Sequence, residues 1–239
     1  MSFNALVIGA SSAIAQAAIA LLVNNPECLR VFTASRHPTN VFSSKVTPLL
    51  CDYSERSIED VCQTLALYAG SITRVLLCNG ILHTTNTMPE KKLENIHAEQ
   101  MAHLYHCNTI IPMLWISRLL PLLISEQAVK MAVFSARIGS ISDNRMGGWY
   151  SYRSSKAALN MLVQTSAIEY ARRAPNVKLI AFHPGTTDTP LSKPFQRTVP
   201  KDKLFTPEFV ASRVLSILDD AKTDQQASYL DWDNTPINW

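Results

Sequence analysis

Short apolar runs alternate along the chain with segments of helix length. The runs are apolar throughout, which predicts strands buried on both faces of a parallel sheet. Strands are predicted over residues 3–8, 29–34, 46–51, 75–78, 129–134, 177–182 and 227–230. Helices are predicted for an Ala-rich segment ending near residue 23, and over 54–69, 91–123 (one helix or two), 150–173 and 207–219. Ser57 and Asp60 are spaced as a capping box for the second helix. The pattern predicts one α/β domain over residues 1–239, with a doubly wound parallel sheet of about seven strands and helices on both faces.

Composition excludes several classes of protein. Hydrophobic residues make up 47% of the chain and charged residues 17%, which favours a large core over disorder. The net charge of +3 comes without a Lys/Arg cluster, so no nucleic-acid partner is expected. No uncharged run approaches the ~20 residues that span a bilayer, and the first residues lack the positive region of a signal peptide. No membrane partner is therefore expected.

The cysteines indicate a reducing compartment. The five cysteines form no Cys-x-x-Cys pair; they are Cys28, Cys51, Cys62, Cys78 and Cys107. Their odd number and scatter are typical of reduced core thiols, so a cytoplasmic location is expected. The same scatter, without His/Cys ligand spacing, predicts that the chain has no metal site.

Residues that follow the strands are the candidates for binding, because ligands of open α/β sheets bind beyond the carboxyl ends of the strands. The segment GASSAI, residues 9–14, joins the first strand to a helix N-terminus. A glycine, small residues and hydroxyls there suit a pyrophosphate. The cofactor candidates in this turn are Gly9, Ser11, Ser12 and Ile14. Because Ala13 and Ala15 stand where glycines are expected, an ordinary tight turn is the alternative.

The next strands lead to candidates for an adenosine site. Arg36 follows the second strand, where a site for an unphosphorylated ribose would carry Asp or Glu. The missing acid favours NADP(H) over NAD(H), with Arg36 pairing with the 2′-phosphate; a solvated arginine is the alternative. Asp52 ends the third strand and either accepts from an adenine amino group or caps the next helix. Asn79 and Gly80 end the fourth strand, where the glycine either admits a ribose or makes a simple turn.

Tyr152 and Lys156 are spaced as an acid–base pair. Residues four apart share a helix face, so the phenol and the ammonium would project side by side. A cation within about 4–6 Å lowers the pKa of a tyrosine from its usual ~10, and such a tyrosine exchanges protons near neutral pH. Tyr150 has the wrong spacing to Lys156. A chance pair on a surface helix is the alternative.

Two further places carry candidate polar groups. Asn108 lies four residues before Pro112, which has no N–H, so the Asn108 carbonyl loses its helical donor. That carbonyl either holds a water near Lys156 or marks a simple kink. After the sixth strand, His183 is expected to pack at the strand end. The turn that follows offers hydroxyls to a carboxamide or phosphate, and its candidates are Pro184, Gly185, Thr187 and Thr189.

In order along the chain, these features resemble the short-chain dehydrogenase/reductase family, nearly end to end. Asn108, Tyr152 and Lys156 fall on three of the family's four catalytic positions. Asp52 falls on the adenine contact, and Asn79-Gly80 stands in place of the family's Asn-Asn-Ala-Gly. The strings FSARIGSISDN (134–144) and GWYSYRSSKAALN (148–160) are most similar to the C-factor-like carbonyl reductase branch. The resemblance implies a single NAD(P)-binding Rossmann-type oxidoreductase domain.

The fourth catalytic position departs from the family. The family's serine lies three residues before the glycine of its loop, and here that position is Ala136. Ser135 sits beside the slot, and Ser140 lies at nearly the family's spacing from Tyr152, so both stay candidates. If neither serine reaches the substrate, one donor to the reacting oxygen is lost, which costs on the order of 10²–10³ in rate and predicts low but measurable activity.

The resemblance implies hydride transfer between a nicotinamide and a small-molecule carbonyl or alcohol, with NADP(H) preferred and NAD(H) the alternative. Tyr152 would protonate the alkoxide, while Lys156 would lower the pKa of Tyr152 and hold the ribose. A nucleotide-binding regulatory protein with weak catalysis is the alternative function. The family also implies a homodimer or homotetramer. Residues 189–206 are expected to form a mobile lid, and the candidates for an apolar pocket wall are Met146, Trp149, Leu191 and Phe195.

Overall fold

The computed structural model describes residues 2–239, with nine strands and six α-helices in that part of the chain. The strands are β1 (Phe3–Ile8), β2 (Cys28–Ser35), β3 (Val46–Leu50), β4 (Ile72–Leu77), β5 (Val129–Phe134), β6 (Val177–His183), β7 (Thr186–Thr187), β8 (Leu204–Phe205) and β9 (Ser228–Asp231). The helices are α1 (Ala13–Asn24), α2 (Glu55–Leu65), α3 (Ala98–Tyr105), α4 (Ile111–Leu123), α5 (Tyr150–Arg173) and α6 (Pro207–Asp220).

Seven of the strands form one sheet in the order β3-β2-β1-β4-β5-β6-β9, and every pairing in it is parallel. The chain runs outward from β1 in one direction to β3 and then returns to β4 on the other side. The topological switch point therefore lies between β1 and β4, where a ligand of such a sheet binds. The predicted α/β doubly wound sheet is confirmed.

Hydrophobic side chains cover both faces of the sheet. One core layer packs α2, α4 and α5 against the strands and includes the fully buried Trp115. The other packs α1 and α6 and includes Phe182. All six residues of β5 are buried, which explains why that strand is apolar at nearly every position.

The long helical region is broken more often than the sequence indicated. A short 3₁₀ turn (Leu93–Asn95) precedes α3, and a π-helical turn (His106–Ile110) separates α3 from α4. In the π-turn, the Ile111 N–H donates to the carbonyl of His106, five residues earlier. The wider turn lies immediately before Pro112, which cannot supply a helical donor. The expected helix break is thus a change of helical register.

The capping box predicted at Ser57 and Asp60 is wrong. The second helix begins at Glu55, and Ser54 is its N-cap, with the Ser54 hydroxyl accepting from the Ser57 N–H (3.2 Å). Ser57 therefore lies inside the first turn, and Asp60 instead pairs on the surface with Arg56 (3.2 Å).

Basic side chains near the amino ends of three strands join the sheet to the end of α6. Arg74, Lys130 and Lys178 lie in register across three neighbouring strands. Lys130 donates to the Leu218 carbonyl (3.3 Å), and burial lowers the pKa of this lysine. Lys178, also buried, pairs with Asp224 (2.6 Å). These contacts hold α6 against the sheet through the negative end of the helix.

Candidate active site

The first turns of α5 carry Tyr152 and Lys156 on the buried face of the helix, with the Tyr152 side chain only 8% exposed. The Lys156 ammonium donates to the Phe134 carbonyl at the end of β5 (2.8 Å). A Cβ on Gly139 would lie 2.9 Å from the Lys156 backbone carbon, so the glycine permits this close approach. The predicted pair is therefore brought to the carboxyl end of the sheet.

Burial sets the pKa values of both groups. It lowers the pKa of the Lys156 ammonium to about 7 and raises the pKa of the Tyr152 phenol well above its usual value, with a smaller contribution from Tyr229. The expectation that Lys156 lowers the pKa of Tyr152 is therefore wrong for the ligand-free chain, because desolvation of the buried phenol has the largest effect on its pKa. With a raised pKa, the Tyr152 phenol is protonated at neutral pH and can give up a proton.

Asn108 is fully buried in the π-turn and links two parts of the site. Its amide oxygen accepts from the Ile81 N–H (2.7 Å), and its amide nitrogen donates to the Ile81 carbonyl (2.9 Å) and the Ser155 hydroxyl (3.1 Å). A Cβ on Gly80 would lie 3.2 Å from the Lys156 ammonium and 3.4 Å from the Asn108 oxygen. The predicted residues Asn108, Gly80 and Lys156 are thus neighbours, joined through the Asn108 side chain.

The two candidate serines make local hydrogen bonds. The Ser135 hydroxyl donates to the Asn160 amide oxygen (2.5 Å), and the Ser140 hydroxyl accepts from the Asp143 N–H (3.2 Å). Ala136, in contrast, packs in an apolar cluster with Tyr152. In this conformation the position beside the phenol is a methyl group.

The turn after β1 approaches the neighbouring strand closely. Gly9 has φ +76°, and a Cβ there would lie 2.9 Å from the Asn79 nitrogen, so only glycine fits. Ser12 caps α1 by accepting from the Ala15 N–H (3.3 Å), while Ser11 is exposed and Ile14 half-buried. The Ala15 methyl is fully buried between helix and strand, so alanine is accommodated where a glycine is expected.

Gln16 was not singled out in the sequence, yet it organises this end of the site. Its amide nitrogen donates to the Ala10 carbonyl, and its oxygen accepts from the Thr39 hydroxyl (2.9 Å) and the Asn40 N–H (3.1 Å). Gln16 therefore holds the segment after β2, which begins with the exposed Arg36. A glutamine inside a helix gives no sequence signal for such a role.

Asp52 and Asn79, both predicted for an adenosine site, differ in exposure. Asp52 is exposed, and a hydrogen bond from Ser54 (2.8 Å) holds its pKa below the usual value. It does not cap α2, because Ser54 does. The Asn79 amide oxygen is buried and has no hydrogen-bond partner among residues 2–239. An orphaned acceptor, an obligatory glycine and a helix N-terminus at the switch point fit a dinucleotide.

The predicted loop after β6 is supported by aromatic rings. Gly185 has φ +71°, and a Cβ there would lie 2.6 Å from the Phe205 ring and 2.9 Å from Trp232. Thr187 is buried and donates to the Pro184 carbonyl (3.5 Å), and the Thr189 hydroxyl donates to the Thr187 carbonyl (3.4 Å). Next to this loop, burial lowers the pKa of His183 to about 4, which agrees with a packed strand-end residue rather than a base.

Aromatic residues cover Tyr152. The Trp149 ring lies 6.4 Å from the Tyr152 ring and 4.8 Å from the Phe195 ring. Two of the four predicted wall residues thus lie at the site, whereas Met146 is 91% exposed and Leu191 is also exposed. His83, which sequence reasoning missed, faces Phe195 (5.8 Å) and contacts the Pro190 carbonyl (3.4 Å). Its position shortly after β4 was the available signal.

Residues 2–239 have surface depressions outside this site, but no helix long and apolar enough to cross a membrane and no cluster of metal ligands. Two shallow surface depressions lie away from Tyr152, one between α1 and the start of α6 and one beside α3. No helix within residues 2–239 combines the length and apolar character needed to cross a membrane. In the same part of the chain, no three His, Cys, Asp or Glu side chains are grouped as metal ligands.

Comparison with known proteins adds sequence relatives. A family model described as short chain dehydrogenase matches residues 4–200. The chain is 27% identical over 186 residues to 1-hydroxy-2-glutathionyl-2-methyl-3-butene dehydrogenase of Rhodococcus sp. (strain AD45), covering 78% of this chain and 76% of the relative. It is 29% identical over 147 residues to C-signal of Myxococcus xanthus (62% and 83%). It is 26% identical over 234 residues to a benzil reductase of Bacillus subtilis (90% and 92%).

Solved structures share the fold over the whole chain. An NADPH-bound carbonyl reductase from chicken fatty liver superposes with a TM-score of 0.83 at 22% identity, with full coverage of both chains. Carbonyl reductase Sniffer of D. melanogaster superposes with a TM-score of 0.85 at 17% identity, again with full coverage.

Proposed function

Because the chain belongs to the short-chain dehydrogenase/reductase family of NAD(P)-dependent oxidoreductases, we propose that it is an NADP(H)-dependent carbonyl reductase within a single domain. The observation that carries the proposal is the buried Tyr152 beside Lys156, Asn108 and Gly80 at the carboxyl end of the sheet. A phenol with a raised pKa stays protonated at neutral pH, which is the state that a reduction requires.

Each residue has a role that follows from its position. NADPH, when bound, supplies a hydride to the carbonyl carbon. Tyr152 gives its hydroxyl proton to the developing alkoxide oxygen. Lys156, near the end of β5, would hold the cofactor ribose. The Asn108 carbonyl would hold a water behind Lys156, and this water would relay the proton. The hydroxyls of Ser135 and Ser140 are candidates for polarising the carbonyl, and either would have to leave its local hydrogen bond to do so.

NADP(H) is favoured over NAD(H) by the residues after β2. Arg36 is exposed there, and no acid stands at the position that would select an unphosphorylated ribose. Gly9, Ser11, Ser12 and Ile14 would hold the pyrophosphate, Asp52 the adenine, and Asn79 the adjoining ribose. The loop with Pro184, Gly185, Thr187 and Thr189 would receive the nicotinamide carboxamide.

The substrate we propose is a small carbonyl compound or the corresponding alcohol. Relatives named as a benzil reductase and as a dehydrogenase of a glutathionyl alcohol support this class. A cytoplasmic homodimer or homotetramer is the assembly that we propose. Partly exposed apolar side chains at Ile110, Met161 and Ile168, in the π-turn and on α5, support an association surface there.

A regulatory nucleotide-binding protein with weak catalysis is the second candidate. The methyl of Ala136 beside Tyr152 favours it, and so does similarity to a relative named C-signal. This candidate differs from the first by binding NADPH without turning over any carbonyl in a broad panel.

Two measurements test the proposal. At ~100 times its Kd, NADPH should stabilise the fold by roughly 2.7 kcal/mol, which raises the melting temperature by several degrees, and NADH should shift it less. Tyr152→Phe should abolish turnover of benzil and other carbonyls with the NADPH shift retained, because only the phenolic proton is lost. Tyr150→Phe, two residues earlier on the same helix, is the matched control and should keep activity. Full activity in Tyr152→Phe would refute the assignment.

A further inference from the structure

A buried carboxylate from a distant segment lies at the start of α5. Glu90 is only 2% exposed and comes from the stretch between β4 and α3. One of its carboxylate oxygens accepts from the Ser151 hydroxyl and the other from the Ser151 N–H (3.2 Å). Its backbone carbonyl accepts from the Trp149 N–H (2.6 Å). Within residues 2–239, every hydrogen bond to this carboxylate comes from Ser151.

The contact with Glu90 takes the place of a side-chain cap at the start of α5. Trp149 is the N-cap residue, with φ +53°, and its side chain makes no capping hydrogen bond in the described chain. The first turn of a helix carries unpaired N–H groups and the positive end of the helix dipole. Glu90 supplies the missing acceptor and a matching negative charge from outside the helix. Gly148, with φ +65°, lies against the Glu90 carbonyl.

The residues that Glu90 holds flank the proton donor. Ser151 immediately precedes Tyr152, and Trp149 packs against both Tyr152 and Phe195. Lys156 lies one turn further along and is held independently by the Phe134 carbonyl. Loss of the Glu90 contact would therefore move the phenol and its aromatic cover while leaving the lysine in place.

We propose that Glu90 is a positioning residue for Tyr152, acting through Ser151 and Trp149 on the first turn of α5. This inference rests on the proposed carbonyl reductase function. A displacement of about 1 Å at a reacting group can cost roughly 10²-fold in rate. The effect should fall on kcat, because the hydrogen bonds to Glu90 come from Ser151 and Trp149, and neither residue is expected to hold the cofactor.

The test compares Glu90→Gln and Glu90→Ala with Glu94→Gln, a nearby exposed glutamate. Glu90→Gln keeps one acceptor for Ser151 and should lower kcat by roughly tenfold, and Glu90→Ala by roughly 10²-fold. KM and the Kd for NADPH should stay within about threefold of the parent values. Ser151→Ala, which removes only the hydroxyl donor, should lie between the parent and Glu90→Gln. A Glu90→Gln variant that melts lower but keeps the parent kcat when folded would overturn the proposal, because that is a purely structural effect.

Hydrogen exchange separates failure of this inference from failure of the proposed function. In Glu90→Gln, the backbone amides of residues 149–153 should exchange several-fold faster than in Glu94→Gln, with the amides after Lys156 unchanged. If the parent chain turns over no carbonyl, the reductase function fails, and the exchange result alone decides whether Glu90 holds the helix start. Unchanged exchange at residues 149–153 would exclude the positioning role.

Discussion

Lys156 is held inside the protein by one hydrogen bond, and this burial has a cost that depends on pH. Because the folded-state pKa is about 7 instead of the ordinary 10.5, the folded chain binds this proton less readily than the unfolded chain. The penalty is complete below pH 7 and fades as the pH rises towards 10.5.

Lys156→Met should therefore stabilise the ligand-free chain at low pH. We expect a gain on the order of a few kcal/mol at pH 6 that shrinks steadily towards pH 10, with turnover abolished. Denaturant unfolding of both proteins across this range measures the difference. The unpaired Phe134 carbonyl left behind adds a loss that does not vary with pH. A stability difference that is the same at pH 6 and pH 10 would contradict the shifted pKa.

Ala136→Ser tests the missing donor beside Tyr152. A hydroxyl at this position would lie next to the phenol and could donate to the reacting oxygen. Since one such donor is worth on the order of 10²–10³ in rate, we expect kcat to rise by tenfold or more with the Kd for NADPH unchanged. Ala136→Val, which adds bulk without a donor, is the control and should not be faster. If Ala136→Ser is no faster than the parent while still binding NADPH, another group already polarises the carbonyl.

Spacing along the chain was enough to find some site residues and not others. Tyr152 and Lys156 lie on one helix, and their four-residue separation carries the prediction. Glu90 and Gln16 act across the fold, so no local pattern marks them. The pKa of Tyr152 was predicted in the wrong direction because the spacing reveals a nearby charge, whereas the extent of desolvation depends on the packed structure.

At the scale of elements, the end of α6 depends on charges placed within the sheet. The Lys178 side chain is 3% exposed, while Asp224 is about half exposed. Removing the acid would leave a buried ammonium without its partner, and this costs more than the loss of a surface pair.

Asp224→Ala should lower the free energy of unfolding by about 1–3 kcal/mol. Adding Lys178→Met should recover part of that loss, because the unpaired charge is removed too. Chemical denaturation of the parent, the two single variants and the double variant gives the coupling energy. Asp60→Ala breaks an exposed pair and should cost less than about 0.5 kcal/mol. Equal effects at the two aspartates would mean that burial of Lys178 does not matter.

The strands were predictable because burial on both faces leaves an uninterrupted apolar run. The observed strand boundaries differ from the predicted ones: β4 begins at Ile72, three residues before the predicted start. Thr73 and Arg74 broke the apolar pattern there, although Arg74 reaches Asp219 and the strand pairing continues. Pro112 predicted a break in the helix but not its π-helical form, and the contact of Asn108 with Ile81 in another segment leaves no local pattern in the sequence.

At the scale of the whole molecule, residues 189–206, the segment predicted to form a lid, are anchored at both ends. β7 pairs with β8, and the Asp188 N–H donates to the Phe205 carbonyl (2.8 Å). Between these ends, the segment reaches the body of the protein through Phe195 on Trp149 and through Pro190 at His83. We expect a segment anchored in this way to open and close over the site.

Limited proteolysis tests the lid. Trypsin should cut after the exposed Arg197 in the free chain, and saturating NADPH should slow that cleavage several-fold. Phe195→Ala removes the contact with Trp149 and should speed cleavage without cofactor. Cleavage at Lys222, outside the segment, serves as the internal control. Equal cleavage with and without NADPH would argue against a closing lid.

The π-turn between α3 and α4 makes the function of the site depend on the number of residues in this helical region. Each residue of an α-helix advances by about 100° around the axis, so deleting one residue between 106 and 110 would turn α3 by that angle relative to α4. Asn108 could then no longer pair with both Ile81 and Ser155. Other positions in the turn should tolerate substitution by side chains of similar size. Insertions and deletions there should abolish activity, because they would misplace Asn108. The stretch is constrained in length more tightly than in composition.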